Sequence, residues 1–152
     1  MARLAPLIAA ALVLLLGSAS TAHAAALGTV TSRTYVIGAG RGNAAHGTAT
    51  FSYDSTTDTT SVTLRLVRLA PNSRHPAFIY SGGSCADNGP VAYIFHASRA
   101  SGTRAASADA HGMLTAFTSF RGPVAGRNLY LRVHRGPHMV GAQSRSIACG
   151  VV

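Results

Sequence analysis

The chain has 152 residues, a formal net charge of +9 and 47% hydrophobic content. All 13 of its basic residues are arginine and all 4 of its acids are aspartate. With neither Lys nor Glu, the main charged helix formers, an all-helical bundle is excluded, and the patterned aliphatic positions exclude a disordered chain.

The first residues read Arg3, an apolar run over 5–16, and then Ala22-His23-Ala24. A positive n-region, an apolar h-region and an A-x-A site predict a secretory signal peptide over 1–24. The apolar run is too short for a membrane span, which takes about 20 residues. The expectation is one mature domain over 25–152 that is secreted or held in the cell envelope, with no membrane span. Its basic charge then rests on arginines dispersed along the chain.

Strands follow in order. Residues 32–37 are β-branched and aromatic enough for a first strand. Ala49, Phe51 and Tyr53 alternate with Thr48, Thr50 and Ser52, and after the polar turn Asp54-Ser-Thr-Thr-Asp58 the pattern resumes with Val62, Leu64 and Leu66. That is a hairpin with one wet face. Further strands are predicted at 76–80, 91–96 and 114–120. Leu129, Leu131 and Val133 then alternate with Tyr130, Arg132 and His134, and a last strand runs over 147–151. Gly and Pro breakers fall between them, as at Gly89-Pro90 and Gly122-Pro123. About eight short antiparallel strands predict a β-sandwich or barrel. The predicted core is Ala49, Phe51, Val62, Leu64, Leu66, Ile79, Leu129, Leu131 and Val133. Cys85 and Cys149, the only cysteines, form a disulfide by default in an exported chain.

Several segments, in order along the mature chain, resemble the copper/zinc superoxide dismutase family and its small exported bacterial relatives, including chordin-type domains. They are His46-Gly-Thr-Ala-Thr-Phe51, 61–69 with 71–80, Cys85-Ala-Asp-Asn-Gly-Pro90, Ala108-Asp-Ala-His-Gly112, Gly126-Arg-Asn-Leu-Tyr-Leu-Arg-Val-His134 and Ile147-Ala-Cys-Gly-Val151. The resemblance implies an eight-stranded Greek-key sandwich and agrees on a Cys85–Cys149 bond.

It does not bring the metal site with it. A His-x-His pair on one strand face supplies the family's first copper ligands, and Phe78 and Tyr80 stand there. The bridging histidine position falls near Val91. His134 is the one copper-ligand position retained. The segment where zinc ligands belong offers only His96, Asp109 and His111, at the wrong spacings, and Ser146 rather than Arg145 occupies the position of the family's catalytic arginine. His75 matches a structural histidine of the family. His46 and His111 are expected in solvated turns, and His138 is a weak candidate to join His134 in an adventitious metal site.

Other chemistries have no basis in the residues: there is no acidic pair for glycoside hydrolysis, no Gly-x-Ser-x-Gly elbow and no phosphate-loop signature. The leading expectation is therefore a dismutase-like exported sandwich without dismutase activity or cofactor, acting as a structural or binding module. One alternative is a copper enzyme rebuilt on His134 and His138 with His75 or His96. Another is a basic protein that binds anionic cell-envelope components. Scattered arginines favour an all-round basic surface over a nucleic-acid site. Phe78, Tyr80 and His134 are expected to meet in one surface cluster.

Overall fold

The computed structural model describes residues 28–98, 105–136 and 144–152. The predicted signal peptide and His138 lie outside them. The described residues form nine strands and no helix: β1 (Val30–Ala39), β2 (His46–Asp54), β3 (Thr59–Val67), β4 (Arg74–Ser81), β5 (Val91–Ile94), β6 (Ala105–Ser107), β7 (Leu114–Arg121), β8 (Leu129–His134) and β9 (Ser146–Val151). None of the described residues forms a helix long and apolar enough to cross a membrane.

The strands join into one antiparallel sheet in the order β5-β4-β8-β9-β1-β2-β3-β7, with β6 added to β4. β1 spans the middle of this path. Its residues from Val30 to Ile37 pair with β2, and Gly38 and Ala39 pair with β9. The sheet curls until its two ends nearly meet. There His96 and Phe117 exchange both backbone hydrogen bonds, at 2.7 and 2.9 Å.

The β2–β3 hairpin forms as the alternation predicts. Asp54 Oδ1 accepts from Thr56 N at 2.8 Å to start the turn, and Asp58 takes the left-handed conformation that aspartate tolerates, with φ 49°. On the outer face, Ser32 and Thr34 of β1 meet Ser52 and Thr50 of β2 hydroxyl to hydroxyl, at 2.8 and 3.0 Å. Such cross-strand pairs favour this register.

All nine residues predicted for the core are buried, together with Ile37, Phe95, Leu114, Ala116 and Ile147. Arg65 stays exposed and Thr63 half-buried, so the strand registers are those read from the pattern. β6 was not predicted; three residues, Ala105-Ala-Ser107, are too few to show a period. His46, expected in a turn, instead opens β2.

The larger correction concerns β8. Its second face, expected to be wet, is covered: Tyr130 is fully buried and His134 is only 4% exposed. Replacing Leu64 by Ala, which empties a site with no exposure, should lower the unfolding free energy by about 2–5 kcal/mol. Arg65→Ala on the opposite face should stay within about 0.5 kcal/mol. Urea unfolding of the two variants measures the contrast, and equal losses would contradict the register.

Candidate functional site

β4 and β8 pair with Phe78 opposite Arg132 and Tyr80 opposite Tyr130. Period two therefore places Phe78, Tyr80, Tyr130, Arg132 and His134 on the face away from the aliphatic core. The rings of Phe78, Tyr80 and His134 do converge. Their centroids lie 6.0 Å (Phe78–Tyr80), 5.7 Å (Phe78–His134) and 6.2 Å (Tyr80–His134) apart, all edge to face. Tyr130 stacks on Tyr80 with 5.2 Å between centroids and 8° between planes. The Arg132 guanidinium lies 5.7 Å from the Tyr80 ring centre and 5.0 Å from that of Tyr130, within cation–π range.

This cluster was expected at the surface; Phe78 is half-buried there, but Tyr80 and His134 are covered. Tyr80 is 7% exposed and His134 4%. The loop over 82–90 covers the Tyr130 and Arg132 end of this face, while His134 at the other end is held against the backbone of Ser144. Cys85 in that loop is bonded to Cys149 of β9, whose backbone partner on β8 is Arg132. Arg132 Nη2 donates to the carbonyls of Cys85 and Asp87, at 2.6 Å each. Tyr130 Oη donates to Asp87 O at 2.8 Å and accepts from Gly89 N at 3.1 Å. Asp87 shapes the loop from within, accepting from Gly83 N (2.7 Å), Ser84 N (2.9 Å) and Ser84 Oγ (2.8 Å). The Ser84 hydroxyl above all, with the Ser84 and Gly83 amides, holds the Asp87 carboxyl below the usual carboxylate range. Gly89 lets the loop return against β4: a Cβ there would fall 1.5 Å from Ser81 O.

The hydrogen bonds of His134 assign its tautomer. Nδ1 lies 2.6 Å from the carbonyl of Ser144, which can only accept, so Nδ1 carries the proton. Nε2 is then an acceptor, and Tyr80 Oη, 2.9 Å away, donates to it. Burial lowers the His134 pKa from 6.5 against the smaller raising effect of the Ser144 carbonyl, and Arg132 lowers it further. Burial also raises that of Tyr80, which keeps the phenol proton in place. A second histidine completes the chain of contacts. His75, also buried, donates from Nδ1 to the backbone carbonyl of His134 at 2.9 Å, and its Nε2 meets Ser73 Oγ at 2.7 Å.

A copper ion does not fit these residues. Phe78 has no donor atom, Tyr80 is a protonated phenol, and both nitrogens of His134 are taken. Val91 is in register with Tyr80 at the start of β5 and is 49% exposed. Among the described residues no three His, Cys, Asp or Glu side chains group to hold a metal. The other candidates are scattered. His96 sits at the sheet closure with Nδ1 buried and unpartnered. Asp109 Oδ1 accepts from the amides of His111 and Met113 in a turn, at 2.8 and 2.9 Å. Ser146 is the backbone partner of His134, and the exposed Arg145 lies just before it.

Tyr130 and Arg132 are the site residues that the sequence reading missed. Alternation placed them on a wet face, and only the Cys85 loop, distant in sequence, buries them. Compared with protein-family models and with curated proteins, the chain matches none.

Two outcomes follow from this geometry. Cys149→Ser, which opens a link between positions 64 residues apart, should cost about 2–5 kcal/mol in urea unfolding and expose Tyr130 to solvent quenchers. A loss near zero would contradict the role of the loop. The lowered His134 pKa means that the unfolded chain takes its proton first as pH falls. The stability of the neutral ring is therefore complete above 6.5 and is lost as pH drops below it toward the folded value. Unfolding free energies followed from about pH 7.5 to about pH 5 should fall more steeply for the wild type than for His134→Gln. Parallel curves would contradict the buried neutral imidazole.

Proposed function

We propose that this chain is an exported, superoxide dismutase-like Greek-key β-sandwich that has exchanged metal chemistry for a packed aromatic plug and acts as a non-catalytic binding module. The strand order supports the fold reading. β1-β2-β3-β7 reads as one layer and β5-β4-β8-β9 as the other, with β1 joining them through Gly38 and Ala39. The chain passes from β3 to β4 across the layers and later returns to place β7 beside β3, a connection of the Greek-key kind. The apolar leader and the disulfide support an extracytoplasmic location.

The observation that carries the functional reading is the Tyr80–His134 hydrogen bond. In the resemblance, Phe78, Tyr80 and His134 hold copper-ligand positions. Here the one imidazole left among them spends its free lone pair on a tyrosine, inside a packed and covered cluster. The rebuilt copper site has no such support, since His134 offers no nitrogen to a metal.

Copper loading of the purified protein, followed by removal of loose metal with a chelator, tests the reading. The expected result is no stoichiometric copper and no superoxide consumption above background. One tightly held copper per chain would overturn it. Phe78→His with Tyr80→His should gain weak copper binding, short of a full site because Val91 stands where the bridging ligand belongs. No gain at all would count against the inherited geometry.

A further inference from the structure

Near the start of β4 and the end of β8, the loops over 40–45 and 68–73 line an open cavity of about 220 Å³ with Arg135 at its side. Arg68, Arg135, Asn43, Ser73 and His75 supply its polar lining. We infer that this cavity binds a phosphate group, either the free ion or the terminal group of a small phosphate ester, between the guanidinium groups of Arg68 and Arg135. The inference adds a ligand class to the binding-module reading and does not rest on the dismutase resemblance.

Charge is the first argument. Two cationic side chains line the cavity, and no acid lines it with them. An anion bound there would be attracted by the two charges at once. Two further arginines adjoin the cavity residues through their backbones. Asn43 Nδ2 donates to Arg41 O at 3.0 Å, and Arg135 N donates to Arg145 O at 3.0 Å. The acid tied to this loop, Asp109, accepts from Asn72 N through its backbone carbonyl, and its carboxylate is turned to the amides of His111 and Met113.

Backbone strain is the second. Among the described residues, three other than glycine hold positive φ: Asp58, Arg68 and Asn72. Aspartate and asparagine tolerate the left-handed region, but an arginine at φ 61° is strained there, where glycine would not be. Strain of this kind persists where the side chain has a task, and the cavity lined by Arg68 supplies one. Arg135 is steered as well. Its Nη2 lies 3.5 Å from Asn43 Oδ1, a long contact across the rim of the cavity.

The paired arginines favour phosphate. A tetrahedral oxyanion presents oxygens to two guanidinium forks at once, in the charge-assisted geometry that arginine suits best. The cavity, about 220 Å³, has room for a phosphate group. Buried His75 and Ser73 line the same cavity and give it a polar wall.

Isothermal titration with inorganic phosphate at fixed ionic strength, repeated with glycerol 3-phosphate, tests the inference. The wild type should show saturable binding of at least one of them. Tighter binding of the ester identifies an esterified phosphate as the source, and tighter binding of the ion identifies free phosphate. Arg68→Gly should weaken binding by about tenfold or more, the loss expected for a charge-assisted contact. Because glycine relieves the left-handed backbone, this variant should melt no lower than the wild type without phosphate. Arg135→Gln should weaken binding likewise, and Arg65→Gln on the outer face of β3 should not. Absence of saturable binding to both ligands, or unchanged binding in both the Arg68 and Arg135 variants, overturns the inference.

Discussion

The Tyr130 and Arg132 end of the β4–β8 face is covered by one attachment, the loop over 82–90 held down by the Cys85–Cys149 bond. A disulfide stabilises chiefly by restricting the unfolded chain, and a link across this separation in sequence contributes roughly 4 kcal/mol in the chain-entropy account. Its second effect here is positional. It delivers the carbonyls of Cys85 and Asp87 to the Arg132 guanidinium, and Asp87 O to the Tyr130 hydroxyl. Without that cover, the Tyr130 ring and the Arg132 guanidinium would lie open to water on the outside of the sheet.

Once the loop is down, the chemistry of the face is constrained. A buried polar group must be hydrogen-bonded or it costs stability. His134 meets this demand with a carbonyl on one nitrogen and a phenol on the other, both of which suit the neutral ring. The Phe78, Tyr80 and Tyr130 rings fill the space around it in edge and stacked contacts. An open metal site needs the reverse: unclaimed nitrogens, room for an ion and access for substrate. The packing that stabilises this face and the chemistry it excludes thus have one cause. The basic cavity at Arg68 and Arg135 differs in kind, since its charged groups are exposed.

Much of this was legible in the sequence, for local reasons. The alternation Ala49, Phe51, Tyr53 and then Val62, Leu64, Leu66 fixes which side of each strand is buried, because a slip of one residue would expose all of them. Ile79 and Leu131 followed from the same rule, and the two cysteines had only each other as partners within the chain. The meeting of Phe78, Tyr80 and His134 was legible only through the resemblance, which supplied the pairing of β4 with β8. Burial of Tyr130 and His134 was not legible, because period two describes one strand and says nothing of a loop laid over it. The sharp returns at Gly82, with φ 143°, and at Gly89 were visible as glycines without showing which backbone they approach. Arg68 looked like one dispersed arginine among many, since its left-handed backbone has no mark in the residue type.

The most direct test of the central claim is the protonation state of the His134 ring, read from long-range proton–nitrogen NMR correlations of the nitrogen-labelled protein near neutral pH. The neutral Nδ1–H tautomer is predicted, with Nε2 showing the shift of a nitrogen that accepts a hydrogen bond and losing that signature in Tyr80→Phe. An Nε2–H tautomer, or a ring that broadens on addition of stoichiometric copper, would contradict the filled site.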